Sequence, residues 1–131
     1  MRFALDTNTI SYAVRGAGNV RAELAKAKPG DVAIPSMCIF EVLRGVYTRN
    51  IGAARLRLLT EFLQSFPSVE FDFAAADHAA RIDTDLAAAG ISISRIDTLI
   101  AGTARAHTLT LITRNLSEFS RVPGLTTVDW Y

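Results

Sequence analysis

Three short apolar runs, FAL at 3–5, VAIP at 32–35 and LTLIT at 109–113, stand far apart in the chain with amphipathic segments between them. Such runs suit strands buried on both faces, as in a parallel sheet. LTLIT is the clearest strand, and FAL is preceded by Arg2, so the first strand spans 2–5. The intervening patterns are helical. One runs through Ile10, Tyr12 and Val14 to the turn Gly16-Ala17-Gly18, and a second covers 19–27 until Lys28-Pro29-Gly30 stops it. Ser36 is placed to cap a third helix with Ile39, Val42, Leu43 and Val46 on its apolar side. RLRLLTEFLQSF at 55–66 forms a fourth, ended by Pro67. VEFDF at 69–73 reads as a further strand, an Ala-rich helix runs from about 74 to Gly90, and ISIS at 91–94 is a connector. A helix from Arg95 carries Ile96, Leu99, Ile100, Thr103 and Ala104 on one face, and LTTVDW at 125–130 supplies the last strand. Strands alternating with helices give an α/β fold with a mainly parallel sheet of about four to five strands. Right-handed crossovers set helices on both of its faces, a three-layer α/β/α sandwich.

With 131 residues, half of them hydrophobic, the chain is expected to form a single domain over 1–131 with an ample core. One cysteine, Cys38, excludes an internal disulfide and a cysteine-rich zinc site. The first apolar run meets Asp6 too soon for a cleavable leader, and no run approaches a membrane span, so the expected location is cytoplasmic, with no membrane partner. The net charge of +1 shows no basic surface in the total. Within the 14 basic residues, however, lysine occurs only at 26 and 28, and the rest are arginines. Arginine's planar fork suits phosphate; codon bias accounts for the excess equally well.

In parallel α/β sheets the ligand crevice lies beyond the carboxyl ends of the strands. Asp6 directly follows the first strand, and Asn115 and Glu118 follow LTLIT. Glu41 and Asp97 fall in the opening turns of helices that start at the same edge. Each has a structural alternative. Asp6 suits a helix cap at Thr7. Ser94-Arg95-Ile96-Asp97 matches a capping box, and an acid there suits the helix dipole. Glu118 reads equally as a solvated loop residue. Glu41, inside CIFEVL, is costly to bury unless it is paired or bound to a cation. Together, carboxylates without positive partners repel one another, and a divalent ion removes that cost. Oxygen-only ligands favour Mg²⁺ or Mn²⁺ over zinc, and ions so held activate water for displacement at phosphorus.

Other chemistries lack their signatures. His78 and His107 are isolated and read as helix-surface residues. There is no G-x-S-x-G elbow and no P-loop, and Gly16-Ala17-Gly18 fails the dinucleotide fingerprint because Arg occupies position 21. Asn115-Leu116-Ser117 is a formal glycosylation sequon without use in a cytoplasmic protein. Two rivals remain. A phosphoacceptor or phosphatase domain with Asp6 as nucleophile wants a second Asp where Asn8 stands, or a late Lys that is absent. A catalytically silent dimerising module leaves Asp6, Glu41 and Asp97 without a purpose.

LDTN at 5–8, FEVLRG at 40–45, SRIDTLIAGTA at 94–104 and TRNLSEF at 113–119 resemble the four motifs of PIN-domain ribonucleases. More closely, they resemble the VapC-type toxins of bacterial toxin–antitoxin pairs, and GLTTVDW at 124–130 resembles that family's last strand. The resemblance implies a PIN-like sandwich and a metal-dependent endoribonuclease, homodimeric and inhibited by a VapB-type antitoxin whose C-terminal segment enters the active site. It implies structured RNA, such as a tRNA anticodon loop, as substrate. By position, Asp6, Glu41 and Asp97 match the acids of the metal site, and Glu118 stands where the family often has Asp. Asn115 stands three residues before it, and Thr7, Asn8 and Thr113 match polar supporting positions. Arg44, Arg95 and Arg114 lie beside these motifs and are the first candidates for phosphate contact. Phe40, Leu56, Leu59 and Phe62 provide either core or a groove for the antitoxin.

Overall fold

The computed structural model describes residues 1–28 and 30–131. Strands β1 (Phe3–Leu5), β2 (Val32–Pro35), β3 (Ser68–Val69), β4 (Thr110–Ile112) and β5 (Thr127–Val128) form one sheet, ordered β3-β2-β1-β4-β5. Every pairing is parallel, with Ala4 opposite Ala33 on one side and Leu111 on the other. The strands are short, two to four residues each. Ala4, Leu5, Ala33, Ile34, Leu111 and Ile112 have no accessible surface and need apolar neighbours on both faces.

The order of addition fixes where a ligand fits. From β1 the chain builds outward through β2 and β3, then returns to add β4 and β5 on the opposite side. The sense of winding therefore reverses between β1 and β4, and their carboxyl ends flank the crevice of a topological switch point.

Among the described residues, seven helices connect the strands: α1 (Thr7–Arg15), α2 (Val20–Lys26), α3 (Ser36–Arg49), α4 (Ala53–Gln64), α5 (Phe73–Ala88), α6 (Arg95–Ala106) and α7 (Leu116–Phe119). The α4 helix starts two residues before the expected RLRLLTEFLQSF segment. The expected Ser36 cap is not used: Pro35, extended at φ −61°, takes the capping position, and Ser36 is already helical. The expected strand at 69–73 is also cut short. Asp72 caps α5 by accepting the Ala75 N–H at 2.9 Å, so Phe73 begins a helix and stands 89% exposed. The 91–94 connector carries no strand, and the expected stop at Pro29 lies outside the described residues.

The α5 and α6 helices pack most closely where Gly102 meets Ala79. A Cβ at 102 would lie 2.7 Å from the Ala79 backbone nitrogen. Arg105 tightens the same pair, donating to His78 Nδ1 at 2.9 Å and to the Pro123 carbonyl at 2.8 Å. Neither histidine is the free surface residue expected. His78 is half-buried under Arg105, and His107, at the end of α6, sits 3.5 Å from the Asp72 carboxylate. Among the described residues no helix is long and apolar enough to cross a membrane.

Candidate active site

Asp6 leaves β1 at the switch point and caps α1, its Oδ1 accepting the Thr9 N–H at 2.8 Å. Its backbone N–H donates to Ile112 of β4 at 3.1 Å, so the adjoining strand ends hold the residue in place. Cap and crevice acid are thus the same side chain. Burial pushes the Asp6 carboxyl above its ordinary range; hydrogen bonds from Thr113 and Thr9 pull it partly back, and Asp129 adds repulsion.

Glu41 is half-buried on α3, less enclosed than its apolar sequence neighbours suggest, because Phe40 beside it points outward with 53% exposure. The Thr7 hydroxyl, at the start of α1, donates to Glu41 Oε1 at 2.5 Å. Asp97 lies in the first turn of α6, where its N–H donates to Ser94 Oγ at 3.1 Å. Burial raises the Asp97 carboxyl, and the charges of Glu41, Asp6 and Glu118 raise it further. Beneath them, burial drives the Cys38 thiol well up, with Asp6, Glu41 and Asp97 adding to the effect. Asp97 thus carries the repulsion of three other carboxylates distant from it in sequence.

The loop after β4 closes the rim. Thr113 is fully buried, and its Oγ1 accepts the Asn115 N–H at 3.0 Å. Asn115 precedes α7 and accepts from Ser117, while Glu118 lies on α7, half-exposed. Asn8 is exposed beside Thr7, and Arg44 is exposed on α3. Arg95 reaches away, 3.4 Å from Asp83 across exposed surface, whereas the Arg114 Cζ lies 3.7 Å from the centre of the Tyr131 ring. Of the four apolar candidates, Leu59 is core, Leu56 and Phe62 are half-buried, and Phe40 is exposed.

Asp129 was the acid that sequence reasoning missed. It comes directly after β5 as Asp6 comes after β1, and the same strand-end rule would have found it inside VDW.

No ion pair among the described residues engages Asp6, Glu41, Asp97 or Glu118. An all-oxygen, anionic donor set without an ion-pair partner among the described residues fits a hard divalent cation. The side chains are not drawn in around one: among the described residues no three His, Cys, Asp or Glu side chains stand close enough together to hold an ion.

Fold and crevice define a class, the all-parallel α/β domain with carboxylates gathered at its switch point. Within it, the chain belongs to the PIN domain family, whose model matches residues 3–125. It is 31% identical over 130 residues to the tRNA(fMet)-specific endonuclease VapC of Shigella flexneri, covering 99% of this chain and 98% of that one. In structure it is similar to VapBC2 from Rickettsia felis bound to a promoter DNA fragment, with a TM-score of 0.90, 29% identity and 100% of both chains covered. DNA-bound VapBC from Salmonella typhimurium is also similar, with a TM-score of 0.86, 29% identity, and 100% and 99% of the two chains covered.

Proposed function

We propose that this chain is a VapC-type toxin, a metal-dependent endoribonuclease restrained by a VapB-type antitoxin. The observation that supports the reading is that Asp6 follows β1 while Glu41, Asp97 and Glu118 lie on α3, α6 and α7, with their charges bearing on Asp97 and none of the four in an ion pair among the described residues. The VapC and VapBC relatives support RNA as substrate and a small antitoxin as partner.

Asp6, Glu41 and Asp97 would hold Mg²⁺ or Mn²⁺, with Glu118 at the rim. Such an ion, when bound, supplies Lewis-acid polarisation of the phosphate and activates water. The protein's share is orientation. Thr9 and Thr113 fix one face of the Asp6 carboxylate, Thr7 turns Glu41 into the crevice, and Asn115 braces the Thr113 loop. Asn8 stands at the crevice mouth, a polar group beside the acids. Arg44 and Arg114 supply phosphate contacts, Arg114 held against an aromatic ring, whereas Arg95 has to leave Asp83 to join them. An RNA loop suits this open crevice better than a duplex, whose A-form grooves hide the base edges. A tRNA anticodon loop is one such substrate.

Phe40, Tyr47 and Leu58, exposed at 53%, 66% and 59%, leave apolar surface uncovered on α3 and α4. Surface of this kind is what a protein partner covers. A homodimer belongs to the same proposal, with sedimentation equilibrium as its check.

The test is cleavage of a loop-containing RNA by antitoxin-free protein. Cleavage is expected with Mg²⁺ or Mn²⁺, to stop with EDTA, and to fall on the order of 10²-fold in Asp97→Asn. Undiminished cleavage by a folded Asp97→Asn protein overturns the assignment.

A further inference from the structure

Beyond the acids, two aromatic rings in contact carry a cation at each end. Arg114, in the loop after β4, stacks on Tyr131 at 3.7 Å. Tyr131 meets Tyr12 edge-on, with ring centres 4.9 Å apart, and Arg15 lies over Tyr12 at 5.5 Å. One end of this ladder adjoins Thr113 and Asn115. The other end enters a cavity of about 440 Å³ between α1, α3 and α4, lined by Tyr12, Arg15, Arg49 and Arg55 and by the site residues Thr7 and Glu41. Among the described residues, none of Arg15, Arg49, Arg55 and Arg114 takes part in an ion pair.

The ladder is built in. Asn19 donates its N–H to the Tyr131 carbonyl at 2.6 Å, and the Asp129 carboxylate accepts the Tyr131 N–H at 2.8 Å. Gly18, at φ +60°, makes room: a Cβ there would fall 2.7 Å from the Tyr131 ring. Yet Tyr131 is still 38% exposed. Tyr131 lies outside the buried core, so this seat holds a ring at the surface. It also holds the guanidinium of Arg114, in the loop after β4, against that ring.

We infer that the Arg114–Tyr131–Tyr12–Arg15 ladder, with the cavity it borders, is a track for the single-stranded nucleotides flanking the cleaved bond. This rests on the RNA-cleaving reading above. Guanidinium planes and aromatic rings stack bases regardless of sequence, and the unpaired arginines neutralise successive phosphates. The carboxylates that adjoin the track, Glu41 and Asp129, lie toward the crevice, where the scissile phosphate is handled and not merely carried.

The experiment is fluorescence anisotropy with a labelled oligouridylate in EDTA, which separates binding from cleavage. Tyr131→Leu and Gly18→Ala should weaken binding on the order of tenfold, while Tyr131→Phe, which keeps the ring, should match the unaltered protein. Arg15→Ala and Arg114→Ala should each lower the slope of log affinity against log salt by about 0.7, a change that a purely structural role does not produce. Arg81→Ala, on the far side of α5, should change neither. Equal affinity and equal slopes across folded variants overturn the track alone, and full displacement of the RNA by a polyglutamate peptide of matched charge reassigns it to a protein partner. An unaltered protein that binds no RNA in EDTA yet cleaves it with Mg²⁺ overturns the track and leaves the functional reading standing, and one that does neither overturns both.

Discussion

Gly102→Ala tests how the helical layer holds the crevice. The new methyl would sit 2.6 Å from Ala79 Cβ, 2.7 Å from its nitrogen and 2.8 Å from its Cα, so backbone has to move. Overpacking of this kind costs about 1–3 kcal/mol, and a rigid helix backbone puts it at the upper end. Alanine regains about 1 kcal/mol of helix propensity. The net loss is about 2 kcal/mol. With unfolding entropy of about 2.1 cal/mol/K per residue over a chain of this length, Tm should fall by roughly 7 °C, read by circular dichroism. Adding Ala79→Gly should not restore it, because the methyl still collides with the backbone at position 79. Since α6 carries Asp97 in its first turn, cleavage should fall more steeply than stability; displacement by about 1 Å can cost 10²-fold in rate. A Gly102→Ala protein that melts at or above the unaltered temperature refutes the close-packing argument.

The raised Asp6 and Asp97 carboxyls give stability a specific pH dependence. A raised folded-state value means the native state keeps protons that the unfolded chain has released. Without divalent ions, these two groups therefore favour folding at low pH and lose that contribution as pH rises from the ordinary carboxylate range through their raised values. Asp72, held below its usual value by the Ala75 N–H, acts oppositely, so the effect is read as a difference between proteins. In urea titrations with EDTA, the Asp6→Asn/Asp97→Asn protein should be the more stable at neutral pH, and the gap should close on acidification; an unchanging gap sinks the assignment. Thr7→Val removes the donor to Glu41 and should slow cleavage about 10–100-fold while costing no more than about 1 kcal/mol, with Thr7→Ser restoring the rate.

Local pattern carried most of the fold. β1, β2 and β4 are buried on both faces and announce themselves as apolar runs, and Asp6 emerges from a strand-end rule that needs no partner. Residues 69–73 failed because Val69, Phe71 and Phe73 alternate like a strand; a cap bond from Asp72 outweighs that alternation, and sequence does not display it. Glu41 looked more buried than it is because neighbours in sequence face different ways around a helix. Asp129 was hidden by the opposite habit, being read as the tail of a strand and not as the first residue beyond one. His78 and His107 show the reach of tertiary contact: their partners, Arg105 and Asp72, lie 27 and 35 positions away.

The placement of β1 between β2 and β4 has a consequence in time. Asp6 is held by the Ile112 carbonyl, and Thr113 and Glu118 come later still, so no chain that stops short of them contains the crevice. At roughly 5–20 residues per second, a ribosome needs about 5–20 s to travel from Asp6 to Ile112. Throughout that interval the central strand lacks one of its two neighbours. A chain built this way lacks a complete crevice while it is being made, and the crevice closes only once β4 and α7 have emerged.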